Sequence, residues 1–436
     1  MISSLATRLS RARAQQAGAK TRGVVMLLGN NPYPQDERVR REALTLVEHG
    51  YTVSVICPRA HPQPATETVR GVHVYRYDRR IRPKGTLGYV LEYVHAPFVA
   101  LKLSVRVLRR HGFDVVHAHN PPDTLVFVGA IYKYLLRKRF VFDHHDIAPE
   151  MYVARFGPRA RRIVFEVLVL FEKISCRLAD RVIAANESYR EIESRRGGIA
   201  TERIAVVRNG PDLADLEPVS GDDDLRAKAA TIIGYLGIMG YQDGVENFLN
   251  ALHVLVYDLG RVDILGVLVG DGDARPDLER RTTNLGLDEH VWFTGYLDYH
   301  EWRRILATAD VCVVPDPSNP YNDQSTIVKI MDYMALGKPI VAFDLPEHRI
   351  TADGAASFVS ANDVRGLAEA IGDLIDDPAR RSAMGAKARH RVHDALCWPW
   401  SADALIDCYG ALFGTSAPRS RGGSHDHAAG PRNATR

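Results

Sequence analysis

The segment from Gln324 to Pro339, QSTIVKIMDYMALGKP, places a lysine and a carboxylate in a run that is otherwise apolar. Ser325 is of a type that caps helix N-termini and Gly337 of a type that ends helices, so the spacing predicts a helix of about three turns. Ile327, Val328, Ile330, Met331, Met334 and Ala335 make that helix apolar around most of its circumference, which predicts burial. Ser325, Lys329 and Asp332 fall at i, i+4 and i+7 and so share one stripe. A buried stripe bearing charge is unfavourable unless it meets something polar. A diphosphate-sugar would satisfy it: Lys329 and the helix start face phosphate, and Asp332 accepts from sugar hydroxyls. A Lys329–Asp332 ion pair at the surface is the plainer alternative.

Three further groups could carry chemistry. Gly234 to Gly244, GYLGIMGYQDG, lies between a strand and a helix, where backbone N–H groups near Gly237 and Gln242 can approach an anion. Gly29-Asn30-Asn31-Pro32 occupies the same position after the first strand, as an anion loop or a simple βα turn. His117 and His119 in DVVHAHNPPD follow one strand, and Asp143-His144-His145-Asp146 in FVFDHHDIAPE follow the next. Ends of adjacent parallel strands converge, so these residues read as a hydrogen-bonding site for acceptor and sugar hydroxyls, or as a metal site. They lack the helical His–His spacing of common zinc motifs. Asp271-Gly272-Asp273 resembles a metal-chelating triplet but reads better as a turn after the strand Leu265–Val269. No dinucleotide fingerprint or Walker loop is present.

The elements that must position these groups alternate. Candidate strands are Val24–Leu28, Thr52–Cys57, Val72–Tyr75, Val115–His117, Phe140–Asp143, Val182–Ala184 and Ile204–Val207, with a helix at Asp36–His49. After a turn-rich acidic stretch from Asn209 to Asp224 the pattern restarts, with strands at Thr231–Leu236, Ile264–Val269, Val291–Phe293, Val311–Val314 and Ile340–Phe343 and a helix at Val245–Leu259. This is an α/β chain of two doubly wound parallel sheets with a ligand cleft at the strand ends between them. The divisions expected are a flexible basic stretch 1–22, a first domain 23–212, a second 213–396, a helix 397–414 crossing back to the first, and a disordered tail 415–436.

Bulk properties narrow the class. A chain of 436 residues predicts two domains. With 56 basic against 53 acidic residues the net charge is +3, far from the basic excess of a nucleic-acid binder. Cys57, Cys176, Cys312, Cys397 and Cys408 are scattered in apolar surroundings, as expected of free thiols in a reducing compartment. The N-terminal stretch lacks an apolar core of signal-peptide length, and no run is long enough to span a bilayer. These features predict a cytoplasmic protein. Tyr89–Arg110 and Arg159–Arg177 mix apolar runs with Arg and Lys; they read equally as membrane-surface helices at the inner face of the plasma membrane and as ordinary packing helices.

Taken in order, DERVRREALTLVEHGYTV, FDVVHAHNPPD, FDHHDIAPEMY, VVRNGPD, YLGIMGYQDGVENFL, LVGDGD, VWFTGY and KIMDYMALGKPIVAFD resemble the family-four, retaining glycosyltransferases of the GT-B fold. The likeness runs from about Gly23 to Val392 and is nearest a bacterial branch associated with surface polysaccharide. It implies two Rossmann-like domains facing across a cleft and transfer of a hexosyl or N-acetylhexosaminyl group from a nucleotide diphosphate sugar to a glycan or lipid-linked acceptor. It implies no cofactor and no metal. Carried over by position, Asp332 holds the ribose, Gly295 and Tyr296 contact the base, and Gly29 and Asn30 face the diphosphate. His119 lies near the transferred sugar with His145 and Asp146 beside it. Gln324 stands where the family's first paired acid is expected, and Met239, Gln242 and Asp243 where its Arg and Lys are expected, which leaves Lys329 as the phosphate's cation. The rival readings are a nucleotide-sugar 2-epimerase of the same architecture and a non-catalytic partner subunit that binds a nucleotide sugar without transferring it.

Overall fold

A computed structural model describes residues 21–60, 62–78 and 85–414, with the side chains of 85–94 excepted. The basic stretch before residue 21 and the tail after 414 lie outside the described residues.

The first sheet comprises β1 (Gly23–Leu27), β2 (Thr52–Pro58), β3 (Thr66–Val69), β4 (Val72–Tyr77), β5 (Val115–His119), β6 (Arg139–His144), β7 (Arg181–Ala184) and β8 (Ile204–Val206). Their order is β3-β4-β2-β1-β5-β6-β7-β8, parallel throughout except for β3 against β4. The second sheet comprises β9 (Thr231–Leu236), β10 (Ile264–Val269), β11 (Val291–Gly295), β12 (Val311–Val314), β13 (Ile340–Phe343) and β14 (Ser357–Val359), in the order β11-β10-β9-β12-β13-β14. Both sheets are the doubly wound arrangement expected of strand–helix alternation.

Each sheet buries both faces, so its strands read as apolar runs split between two cores. Val24 and Met26 of β1 join one core, and Val25 and Leu27 the other. The helix Glu37–Glu48 is started by Asp36, whose carboxylate accepts from the Val39 N–H. The last helix, Trp398–Leu412, packs on the same face of the first sheet, with Leu405, Tyr409 and Leu412 in that core.

The chain passes between domains twice, and the two crossings touch. Trp398 N donates to Pro211 O at 2.8 Å. A Cβ on Gly210 would lie 1.6 Å from Leu396 O, so only glycine allows the approach.

Strand order decides where a ligand can enter. In the first sheet the connections reverse between β1 and β5; in the second, between β9 and β12. Helices leave on opposite faces at such a point, which opens a crevice at the strands' carboxyl ends.

Candidate functional site

The first crevice is built from the loop after β1 and the tip of β5. Gly29 presses on Pro122 so closely that a Cβ would stand 2.1 Å from the ring. Asn30 beside it is half-buried. Register places His119 opposite Asp143 on β6. Asp143 Oδ2 lies 3.0 Å from His119 Nδ1, 3.1 Å from His145 Nε2 and 3.3 Å from His117 Nε2. Burial alone would raise this carboxyl, but the three imidazoles hold it well below the usual range. Burial and the Asp143 charge push neighbouring Glu42 well above its usual value, so the pair shares one negative charge. Burial lowers the His117 pKa to about 4, leaving a neutral ring. With its Nε2 proton toward Asp143, Nδ1 accepts from the Tyr409 hydroxyl at 2.8 Å.

Glu42, His119, Asp143 and His145 offer donor atoms within 4.8 Å of one another and are the grouping able to surround a metal ion among the described residues. Asp271 and Asp273 have separate partners: Asp271 Oδ1 accepts from Gly272 N, while Asp273 pairs with Arg155 across the cleft at 2.7 Å.

His144 corrects the expectation that all of Asp143–Asp146 converge on the cleft. Successive strand residues point to opposite faces, so His144 turns away. It meets Glu193 at 3.0 Å, and this acid with Glu172 overcomes burial to raise its pKa to about 9.

In the second domain the glycine loop after β9 faces the end of β12 and the helix Val328–Ala335. That helix is shorter than expected. Its N-cap position is Ile327, without a capping side chain. Ser325, expected to cap it, instead donates to Tyr321 O at 2.8 Å and accepts from the Tyr189 hydroxyl at 2.8 Å. Tertiary contacts have taken the hydroxyl, so the helix start is left open.

The expected Lys329/Asp332 stripe is split. Lys329 Nζ lies 3.1 and 3.0 Å from the two Asp316 oxygens, with both side chains buried. The alternative Lys329–Asp332 pair is absent, because Lys329 reaches Asp316 instead. Lys329 does border the glycine loop, since a Cβ on Gly237 would stand 3.1 Å from its Cε. Asp332, half-buried, faces Glu37, Arg41, Asp215 and Arg303 at the domain junction. Burial, then Glu37 and Asp215, outweigh the two arginines and raise its pKa to about 7.

The remaining expected donor residues are spread more widely. Gln242 is half-buried; its carbonyl accepts from Asn322 Nδ2 at 3.1 Å, tying the glycine loop to the loop after β12. The Gln324 side chain donates to Pro320 O at 3.0 Å, and the Gln324 backbone carbonyl accepts from Asn186 Nδ2 at 2.9 Å. Gly295 ends the edge strand β11 and Tyr296 follows it, 83% exposed. The Gly295 carbonyl accepts from Gly270 N at 3.1 Å.

The two crevices meet. A cavity of about 240 Å³ has His145, Asp146 and Arg38 on one side and Tyr321 and Ser325–Val328 on the other. Tyr321 donates its hydroxyl to Asp146 Oδ1 at 3.1 Å, and Asn186 donates to Thr326 Oγ1 at 3.0 Å, so both lobes line one site. His145 and Asp146 are thus brought to the helix start; Lys329 lies one residue behind it, and Asp332, Gly295 and Tyr296 lie outside this cavity. Arg38, Tyr321 and Asp316 were not anticipated. Asp316 was within reach of the strand-end argument, since it closely follows β12. Arg38 lies in the first turn of the helix after the β1 loop and could have been found the same way. Asp36 contacts Arg38 at 3.5 Å. Despite burial, Arg38, Asn31 and His145 hold the Asp36 pKa at about 2.

Residues 37–215 match the family described as Glycosyltransferase Family 4, and residues 230–377 that described as Glycosyl transferases group 1. The chain is 23% identical over 382 residues to an uncharacterised glycosyltransferase of Methanocaldococcus jannaschii, covering 84% of this chain and 90% of that protein. Sucrose-phosphate synthase from Thermosynechococcus elongatus superposes with a TM-score of 0.72 at 20% identity, over 91% of this chain and 100% of that one. Anabaena HepE in complex with UDP-glucose gives 0.65 at 19% identity, over 89% and 99%. The order of the two matched segments, one per domain, together with the paired sheets and facing crevices, places this chain in the family-four, group 1 glycosyltransferases, with their GT-B fold.

Proposed function

We propose that the chain transfers a hexosyl or N-acetylhexosaminyl group, with retention of configuration, from a nucleotide diphosphate sugar to a glycan or lipid-linked acceptor in cell-surface polysaccharide assembly. The observation that carries this reading is the cavity in which His145 and Asp146 of one lobe face the open helix start at Ser325–Val328 of the other. Unpaired N–H groups at a helix start bind phosphate well. The complex of HepE with UDP-glucose supports a sugar nucleotide as donor.

In this scheme the diphosphate lies between the helix start and the loops at Gly237 and Gln242, with Gly29 and Asn30 closing over it. Lys329, held by Asp316, shares its charge with the phosphate, and Arg38 adds a second cation from the opposite lobe. Asp332 accepts from the ribose, Gly295 and Tyr296 flank the base, and Gln324 and Ser325 border the sugar. His119 and His145 orient the transferred sugar, and Asp146 the acceptor hydroxyl. The acceptor attacks from the face the leaving group departs, and the leaving phosphate takes its proton, so no protein nucleophile or metal is needed. Catalysis is then positioning plus stabilisation of the leaving charge.

A thermal-shift panel of nucleotide sugars, followed by transfer assays and proton NMR of the new anomeric centre, tests this. One donor should raise the melting temperature and yield a product of retained configuration. No shift with any donor, or an inverted product, contradicts it.

A further inference from the structure

We propose that the outer helical face of the first domain docks on an anionic membrane surface. Three helices, Gly85–Arg110, Val126–Leu136 and Arg162–Leu178, cover one side of the first sheet. Ala96, Ala100, Val126, Tyr132 and Cys176 face that sheet's core, so the opposite sides of all three point outward together. Ser104 and Tyr132 join the first two helices at 2.9 Å, and Phe127 stacks edge-on against Phe171 of the third.

The outward sides of the second and third helices are apolar where a solvated helix should be polar. Ile131, Tyr134 and Leu135 on the middle helix are 39, 67 and 75% exposed, and Ile163, Val167 and Leu170 on the third are 72, 45 and 54% exposed. The last three fall at i, i+4 and i+7, a continuous stripe. Contiguous apolar surface of this kind marks an interaction site.

Charge selects the occupant. Lys102, Arg106, Arg109 and Arg110 line a groove of about 550 Å³ on the first helix. Exposed Arg161 and Arg162 begin the third helix. Residues 95–110 and 126–138 contain no Asp or Glu, and the third helix turns out only Glu166, 3.7 Å from Arg162. A symmetric dimer through this face would set like charges against each other. A lipid surface offers the complement: acyl chains for the leucines and isoleucines, and phosphates for the arginines.

The face also lies near the reaction site. His145 and Asp146 precede the helix Ala148–Phe156, which packs on Arg162–Leu178. Docking there would hold the cleft beside the bilayer, within reach of a lipid-linked acceptor; this point alone rests on the proposed function.

The test is co-sedimentation of the full chain with vesicles of phosphatidylcholine alone or mixed equally with phosphatidylglycerol. The chain should pellet with the mixed vesicles only, and release as salt rises from about 0.1 M to about 0.5 M. Leu135→Glu with Ile163→Glu, and separately Arg106→Glu with Arg109→Glu, should each cut the bound fraction by about tenfold or more. Both variants should keep the thermal shift given by a nucleoside diphosphate, which shows them folded. Wild-type chain left in the supernatant, variants that bind like wild type, or a wild-type dimer in light scattering that the apolar variant dissociates with no vesicle binding would overturn the proposal. Vesicle binding without any nucleotide shift would uphold it and sink the transferase scheme instead.

Discussion

Lys329 and Asp316 form a buried ion pair at the point where the second sheet's connections reverse, with Nζ 3.0 Å from Oδ2. The pair fixes an ammonium beside Gly237 before any donor arrives. Removing one partner leaves the other charge buried, at a cost of about 3 kcal/mol or more. Lys329→Met should therefore lower stability by roughly that amount in chemical denaturation, and reduce transfer by about a hundredfold or more. Lys329→Met with Asp316→Leu should regain much of the stability and none of the transfer. Recovery of transfer in the double variant would show that the pair is structural only.

His119 and His145 are assigned to the sugar. Their alanine variants should each lower kcat by about a hundredfold while the donor KM changes little. Equal loss of donor binding, read by titration of the nucleoside diphosphate, would move both residues from the reacting sugar to the carrier.

Tyr409 tests how far the last helix supports the site. Tyr409→Phe leaves His117 Nδ1 buried without its donor, which should cost about 1–2 kcal/mol in denaturant unfolding. A change near zero would mean that the Tyr409 hydroxyl makes no net hydrogen bond to His117 in the folded state.

Asp332 gives a pH signature. Its pKa is raised from 3.8 to about 7, so between those values the folded state holds a proton that the unfolded state has released. Its contribution to stability is whole below the lower value and is lost as pH rises through the upper one. The melting temperature of Asp332→Asn relative to wild type should climb from pH 5 to pH 8. A flat difference would place the carboxylate in water.

Much of the fold was legible because the central strands are apolar runs bounded by turns. Thr231–Leu236, Ile264–Val269, Val311–Val314 and Ile340–Phe343 match in both bounds. β3 escaped notice because Thr66–Val69 is a mostly polar, solvated edge, and β14 because Ser357–Val359 is a short edge strand with no buried residue. At the candidate site, strand-end reasoning points to the two residues that line the cavity, His145 and Asp146, and to His119 beside Asp143, since the carboxyl ends of adjacent parallel strands must lie together. It failed where a partner comes from elsewhere in the fold. Nothing local to Ser325 shows that Tyr189, 136 residues away, takes its hydroxyl and moves the helix start to Val328. Nor does helical spacing show that Lys329 turns to Asp316, 13 residues back.

The arrangement of donor between lobes is tested most directly by a crystal structure with the nucleoside diphosphate that gives the largest thermal shift. The diphosphate should lie against the N–H groups of Thr326–Lys329 and the Gly237 loop, with His119, His145 and Arg38 across the cleft from it. A nucleotide bound outside that cleft, or one whose phosphates point away from the helix start, would contradict the account.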